Sequence, residues 1–226
     1  MQLTNVPIFG HKIKSFFVRK SVSLHGLLND SAMAEHQKTR KSQVSASDRL
    51  VYDNYEQTLQ QGLMKLCKTA GVLGDTLLSS PDIDAKWEEY IKDYIADAVR
   101  EFNDYPEAAV AWPGFIGMAV AHRWDEDWDR YKDMKYKDLY GPNGWDDMDE
   151  GILHFVLGLD LGSEEAIKLA KTLNSCSLAA LGLIRHEGVE AQTAQGFYIL
   201  ARTYTVLFRI GAAMELYRQK YSFQKV

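Results

Sequence analysis

Residues 80–106, SPDIDAKWEEYIKDYIADAVREFNDYP, decide the fold class. Ile83, Trp87, Tyr90, Ile91, Tyr94, Ile95, Ala98 and Phe102 recur at intervals of three and four, which gathers them into one stripe of a 3.6-residue helix. Pro81 falls in the first turn, where its missing N–H would have had no partner anyway. Tyr105 precedes Pro106, and the residue before a proline avoids the helical region. The segment is therefore an amphipathic helix that carries its own start and stop signals.

The same period extends in both directions. Upstream, Ser47 or Asp48 can cap a helix running to about Ala70, with Val51, Tyr55, Leu59, Leu63 and Leu66 along one side. GVLGDTLLSS (71–80) separates the two. Downstream, AAVAWPGFIGMAVAHRWDEDWDRY (108–131) is rich in Ala and Gly, so a neighbouring helix can approach it closely. Pro113-Gly114 is expected to kink or divide it. A loop with a Gly-Pro-Asn-Gly turn at 141–144 follows. Asp147 and Glu150 have the spacing of a capping box for a short helix to Leu159. Ser163 caps another helix that ends at Gly188, with Arg185 and His186 in its last turn. The final helix, about Val189 to Tyr221, is apolar over most of its circumference, which predicts a central position. No stretch sustains strand alternation. The prediction is an all-α protein: a single helical bundle of about six to seven helices (47–226), preceded by a basic amphipathic arm and polar linker (1–46).

Composition narrows the function classes. Hydrophobic residues are 46% and charged residues 25% of the 226-residue chain, enough for one self-sufficient core. The formal charge of −5 is unevenly spread. Residues 1–45 hold seven Lys/Arg against two Asp/Glu, and the remainder holds 19 against 29. An acidic body repels phosphate backbones, so nucleic-acid binding by the main domain is not expected. The arm sets Phe9, Ile13, Phe16, Phe17, Leu24, Leu27 and Leu28 among Lys12, Lys14, Arg19 and Lys20, a pattern suited to an anionic membrane or a partner protein. The commoner fate of such a stretch is packing on its own acidic body. Met33 leaves open that the arm extends a shorter translated product.

The opening residues contain no signal-peptide h-region. The longest charge-free apolar run, Ala108–Ala121, is short for a membrane span. Two cysteines, Cys67 and Cys176, make no disulfide framework; buried free thiols are expected, with one bridge possible if their helices touch. Together these place the protein in the cytoplasm.

Motifs that would name a reaction are missing: no phosphate-cradling GxxxxGK[ST], no GxGxxG after a strand, no GxSxG, no HExxH and no pair of Glu-x-x-His. No cofactor or metal is named by the residues. One constellation stands out. His122, Glu126 and Asp129 sit at i, i+4 and i+7 on the face begun by Phe115, Met118 and Ala119, where an apolar surface turns polar. Glu101 falls within the stripe of the preceding helix, and Glu215 within the apolar arc of the last. Carboxylates and a histidine turned inward can make an acid–base pair or a metal site. The competing reading places this arc in solvent beyond Ala121 and pairs Glu215 with an arginine. Trp112, Phe115, Met118, Tyr140 and Trp145 are the expected walls of a pocket for a small ligand. Three functions are thus in play: a module binding a small ligand or a protein partner, a metal- or acid–base-dependent enzyme, and a scaffold or membrane-peripheral protein acting through the arm.

Overall fold

The computed structural model describes residues 46–188 and 193–222. All but the last residue of the expected arm and linker (1–46) lies outside them, and so does the expected membrane or partner surface on it. Among the described residues the protein is all-α: α1 (Ala46–Thr69), α2 (Pro81–Asp104), α3 (Pro106–Tyr131), α4 (Met148–Gly151), α5 (Glu164–His186) and α6 (Ala194–Arg218). A π-turn, Ile152–Val156, continues α4, and a 3₁₀ turn, Tyr136–Leu139, lies in the loop after α3.

α6 is the axis, and α1, α2, α3 and α5 all pack on it. Its chemistry explains that position, since Ile199, Thr203, Tyr204, Val206 to Phe208 and Ile210 to Leu216 are buried around most of its circumference. Side-chain pairs fix the directions. Tyr52 meets Tyr198 and Cys67 meets Met214, so α1 runs parallel to α6. Trp87 stacks on Phe208 while Tyr94 meets Tyr204, so α2 runs against it. α5 runs antiparallel to α3, since Leu173 lies against Gly114 and Ser177 Oγ donates to the Glu107 carbonyl at 2.6 Å.

α3 and α6 form the most extensive contact, and two glycines permit it. A Cβ on Gly117 would lie 2.0 Å from the Phe208 carbonyl oxygen, and one on Gly211 would lie 1.8 Å from that of Gly114. The backbones themselves are in contact here, a separation open only to residues without a side chain.

Pro113 neither kinks nor divides α3 by leaving helical dihedral angles; that departure comes at Asp127, with φ −169° and ψ 87°. Two local facts account for the difference. Proline removes the N–H that would have bonded the Ala109 carbonyl, and the buried Tyr94 hydroxyl replaces it, donating to that oxygen at 2.6 Å. At Asp127 the side chain instead accepts from the Arg130 N–H at 3.3 Å and starts a new turn.

Other boundaries shift modestly. On α1 the buried row is Tyr52, Tyr55, Leu59, Leu63 and Cys67, while Val51 is exposed. The Asp147–Glu150 capping box does not form, because Asp147 accepts from the backbone and side-chain nitrogens of Asn143 at 3.1 and 2.6 Å. Ser163 caps α5 as expected, accepting from the Ala166 N–H. By length and composition α5 is apolar enough to cross a membrane, although charged residues interrupt it; 44% of the qualifying stretch is buried inside the bundle, one face of an amphipathic helix.

Candidate functional site

The four residues of the predicted polar cluster do not meet. His122, on α3 just past the last fully buried residue, turns to α6: its Nδ1 lies 2.8 Å from Oε1 of Glu215, a carboxylate with no solvent exposure. Arg218, one turn on, donates from Nε to Oε2 at 2.7 Å and from Nη2 to Oε1 at 2.8 Å. Burial pushes the Glu215 carboxyl up, but the hydrogen bonds from Arg218 and His122 outweigh it and hold it below the ordinary carboxylate value.

Glu126 is exposed and pairs with Arg123, three residues before it. Asp129 lies beyond the break at Asp127 and pairs with Lys132 at 3.0 Å in solvent, so the helical phase that aligned it with His122 no longer applies. Glu101 sits at the opposite end of α3, beside the α2–α3 turn and near enough to Tyr140 to act on its phenol. With α3 continuous through Pro113, Pro106 and His122 are about 24 Å apart. Glu215 paired to an arginine is the alternative that the spacing also allowed. Among the described residues, no group of three or more His, Cys, Asp or Glu side chains is arranged to hold a metal ion.

The predicted pocket walls fare differently. Trp112, Tyr140 and Trp145 do come together: the Trp112 and Trp145 rings are 4.6 Å apart and the Tyr140 and Trp145 rings 5.6 Å. Phe115 and Met118 are fully buried in α3. The aromatic cluster continues through Tyr94, 5.6 Å from Trp145, to Tyr204 on α6, edge-on to Tyr94 at 5.2 Å. Trp145 and Tyr140, on the loop after α3, are half-buried and form its outer wall. The loop is tied to α2: Tyr90 Oη donates to the Met134 carbonyl at 2.5 Å, Lys137 reaches Asp97 at 2.9 Å, and Tyr136 also bonds Asp97.

Two phenol oxygens of this cluster, those of Tyr140 and Tyr204, are buried with no hydrogen-bond partner within bonding distance among the described residues; Tyr140 lies beside the Tyr136 phenol, whereas Tyr204 has no polar neighbour of that kind. The Tyr204 hydroxyl is completely buried and has no hydrogen-bond partner among the described residues. A buried polar group is normally satisfied, and leaving one unpaired costs about 1–3 kcal/mol. Burial raises the Tyr204 phenol, so it stays protonated and remains a donor. Nothing in the spacing of α6 distinguished Tyr204 from an ordinary core tyrosine.

Two further features went unread in the sequence. Asp149 is 3% exposed, and burial raises its carboxyl to about 6, although backbone N–H groups oppose the shift. It is hidden within DDMDE, a run that reads as a solvated face. A groove of about 320 Å³ between the starts of α1 and α6 is lined by Val51, Tyr52, Ala194 and Gln195. It is open to solvent. The chain matches no family model, and no curated protein or solved structure is significantly similar to it.

Proposed function

We propose that this protein binds a small ligand within the aromatic cluster of Tyr94, Trp112, Tyr140, Trp145 and Tyr204. The observation that carries the reading is the unpartnered, fully buried Tyr204 hydroxyl at the inner end of a row of aromatic rings whose outer wall, Trp145, is half-buried. Binding sites of this kind are mostly apolar and use a few placed polar groups to fix orientation. A flat molecule with one hydrogen-bond acceptor suits the combination. It would stack on indole and phenol faces and accept from Tyr204. Trp145, carried by the Gly141–Gly144 turn, is the wall that must yield.

Native mass spectrometry of freshly purified protein, followed by ligand screening on tryptophan fluorescence, tests this reading. A bound small molecule, or a saturable fluorescence change, is expected, and both should be lost in Trp145→Ala. Tyr204→Phe separates binding from folding. It should weaken the ligand at least about tenfold, the equivalent of 1.4 kcal/mol, yet leave the unliganded melting temperature unchanged or higher, because an unpaired hydroxyl is removed. A Tyr204→Phe variant that melts lower and binds normally would refute the proposal.

A second reading has one observation in its favour. Glu215 holds Nδ1 of a partly exposed histidine, the arrangement in which a carboxylate orients an imidazole for proton transfer. Arg218 on the same carboxylate makes the group a structural ion triad equally well. Loss of a catalysed reaction in His122→Gln, with unchanged stability, would favour the enzyme.

A further inference from the structure

Away from the aromatic cluster, three sulfur atoms from three helices meet in the core. Cys67 of α1 and Cys176 of α5 are each fully buried, with their Sγ atoms 3.5 Å apart, and Met214 Sδ of α6 lies 4.0 Å from Cys67 Sγ. Both cysteines are free thiols. A disulfide bond is about 2.05 Å long, so closure requires an approach of only about 1.5 Å between side chains that already touch.

We propose that Cys67 and Cys176 are a two-electron redox couple, closing to an intramolecular disulfide that joins α1 to α5 when a hydroperoxide reaches the core. The position of Cys67 favours it as the first sulfur attacked. It lies in the last turn of α1, which ends at Thr69 and opens into the 70–80 connection, and helix ends fray at small cost. Cys176 lies in the middle of α5. The hydrogen bond between the two sulfurs also lowers the Cys67 thiol while it raises Cys176.

The chemistry balances. Hydrogen peroxide takes two electrons from the Cys67 sulfur, giving a sulfenic acid (S–OH) and one water. The Cys176 sulfur then attacks that atom, and its proton leaves with the hydroxyl as a second water. Two thiols and one peroxide become one disulfide and two waters. A small oxidant is required, because a bulky disulfide such as oxidised glutathione cannot reach two sulfurs with no exposure. The bond spans 109 residues of chain, and a loop of that length removes much of the freedom of the unfolded state.

The full-length protein, reduced and then treated with a small excess of hydrogen peroxide, is denatured in an alkylating agent and its intact mass read. The expected product is two hydrogens lighter, unalkylated, monomeric and restored by dithiothreitol, with a melting temperature about 10 °C higher than the reduced form. Cys67→Ala and Cys176→Ala should abolish the change. The wild-type mass decides the matter even if neither variant folds. Persistence of two alkylatable thiols, over-oxidation to sulfinic acid, or a bridge between two chains would each overturn the proposal.

Discussion

The hydroxyl of Tyr94 shows how a single residue repairs a fault built into the chain. Pro113 strips the fully buried Ala109 carbonyl of its helical partner, and Tyr94 supplies the missing donor from α2. Tyr94→Phe keeps the ring and leaves the carbonyl orphaned, so it should cost about 1–3 kcal/mol in urea unfolding. No loss would mean that α3 satisfies that oxygen by other means. Asp149 yields a pH prediction of opposite sign to the usual carboxylate. Its folded value, raised to about 6, lies above that of the unfolded chain, so the folded state holds the proton more tightly. The group therefore favours folding in acid, and that contribution is lost as pH rises through about 6. Asp149→Asn should gain stability over wild type between pH 4.5 and 7, with the difference flat above it; equal pH profiles for the two would contradict the burial argument. Glu215 works in the familiar direction, contributing stability that fades as pH falls through its lowered value.

At the scale of elements, α3 carries most of what was legible and most of what was not. Its small residues advertised close packing, and the glycine contacts with α6 realise it. Gly117→Ala forces a methyl group onto backbone atoms of α6 that have no rotamer to change. A loss of about 3 kcal/mol, the upper end of overpacking effects, is expected in thermal melts, whereas Gly62→Ala, with nothing within 4 Å of its added Cβ, should stabilise α1 by up to about 1 kcal/mol. Similar effects at the two positions would mean that the helices are not in backbone contact. The polar end of α3 was misjudged because helical phase was carried through Asp127. Helical periodicity assumes an unbroken helix, and an Asp that can cap the next turn competes with continuation. Asp129 left the His122 face for that reason, while Glu126, before the break, is exposed and pairs with Arg123.

For the molecule as a whole, the central position of α6 has a thermodynamic consequence. Each of the other long helices packs on it, and α2 with α3, α3 with α5 and α1 with α5 also pack on one another, so the helices share one core rather than separable pairs. Denaturation followed by far-UV circular dichroism and by tryptophan fluorescence should give superimposable transitions. Separated midpoints would show a sub-bundle that folds alone. The helical class, the order of the long helices and the central role of the last one were determined by the sequence, because a 3.6-residue stripe and its stop signals are local properties, readable from neighbours along the chain. Which helix each polar side chain faces was decided only by the tertiary structure. His122 could be read as partly inward, but its pairing with Glu215 depends on α3 and α6 crossing through Gly117 and Gly211. Tyr204 likewise looks like any core aromatic until the packing of α2 and α6 leaves its hydroxyl without a partner. Pairings between residues about a hundred positions apart depend on crossing geometry and backbone separation, neither of which a periodic pattern encodes.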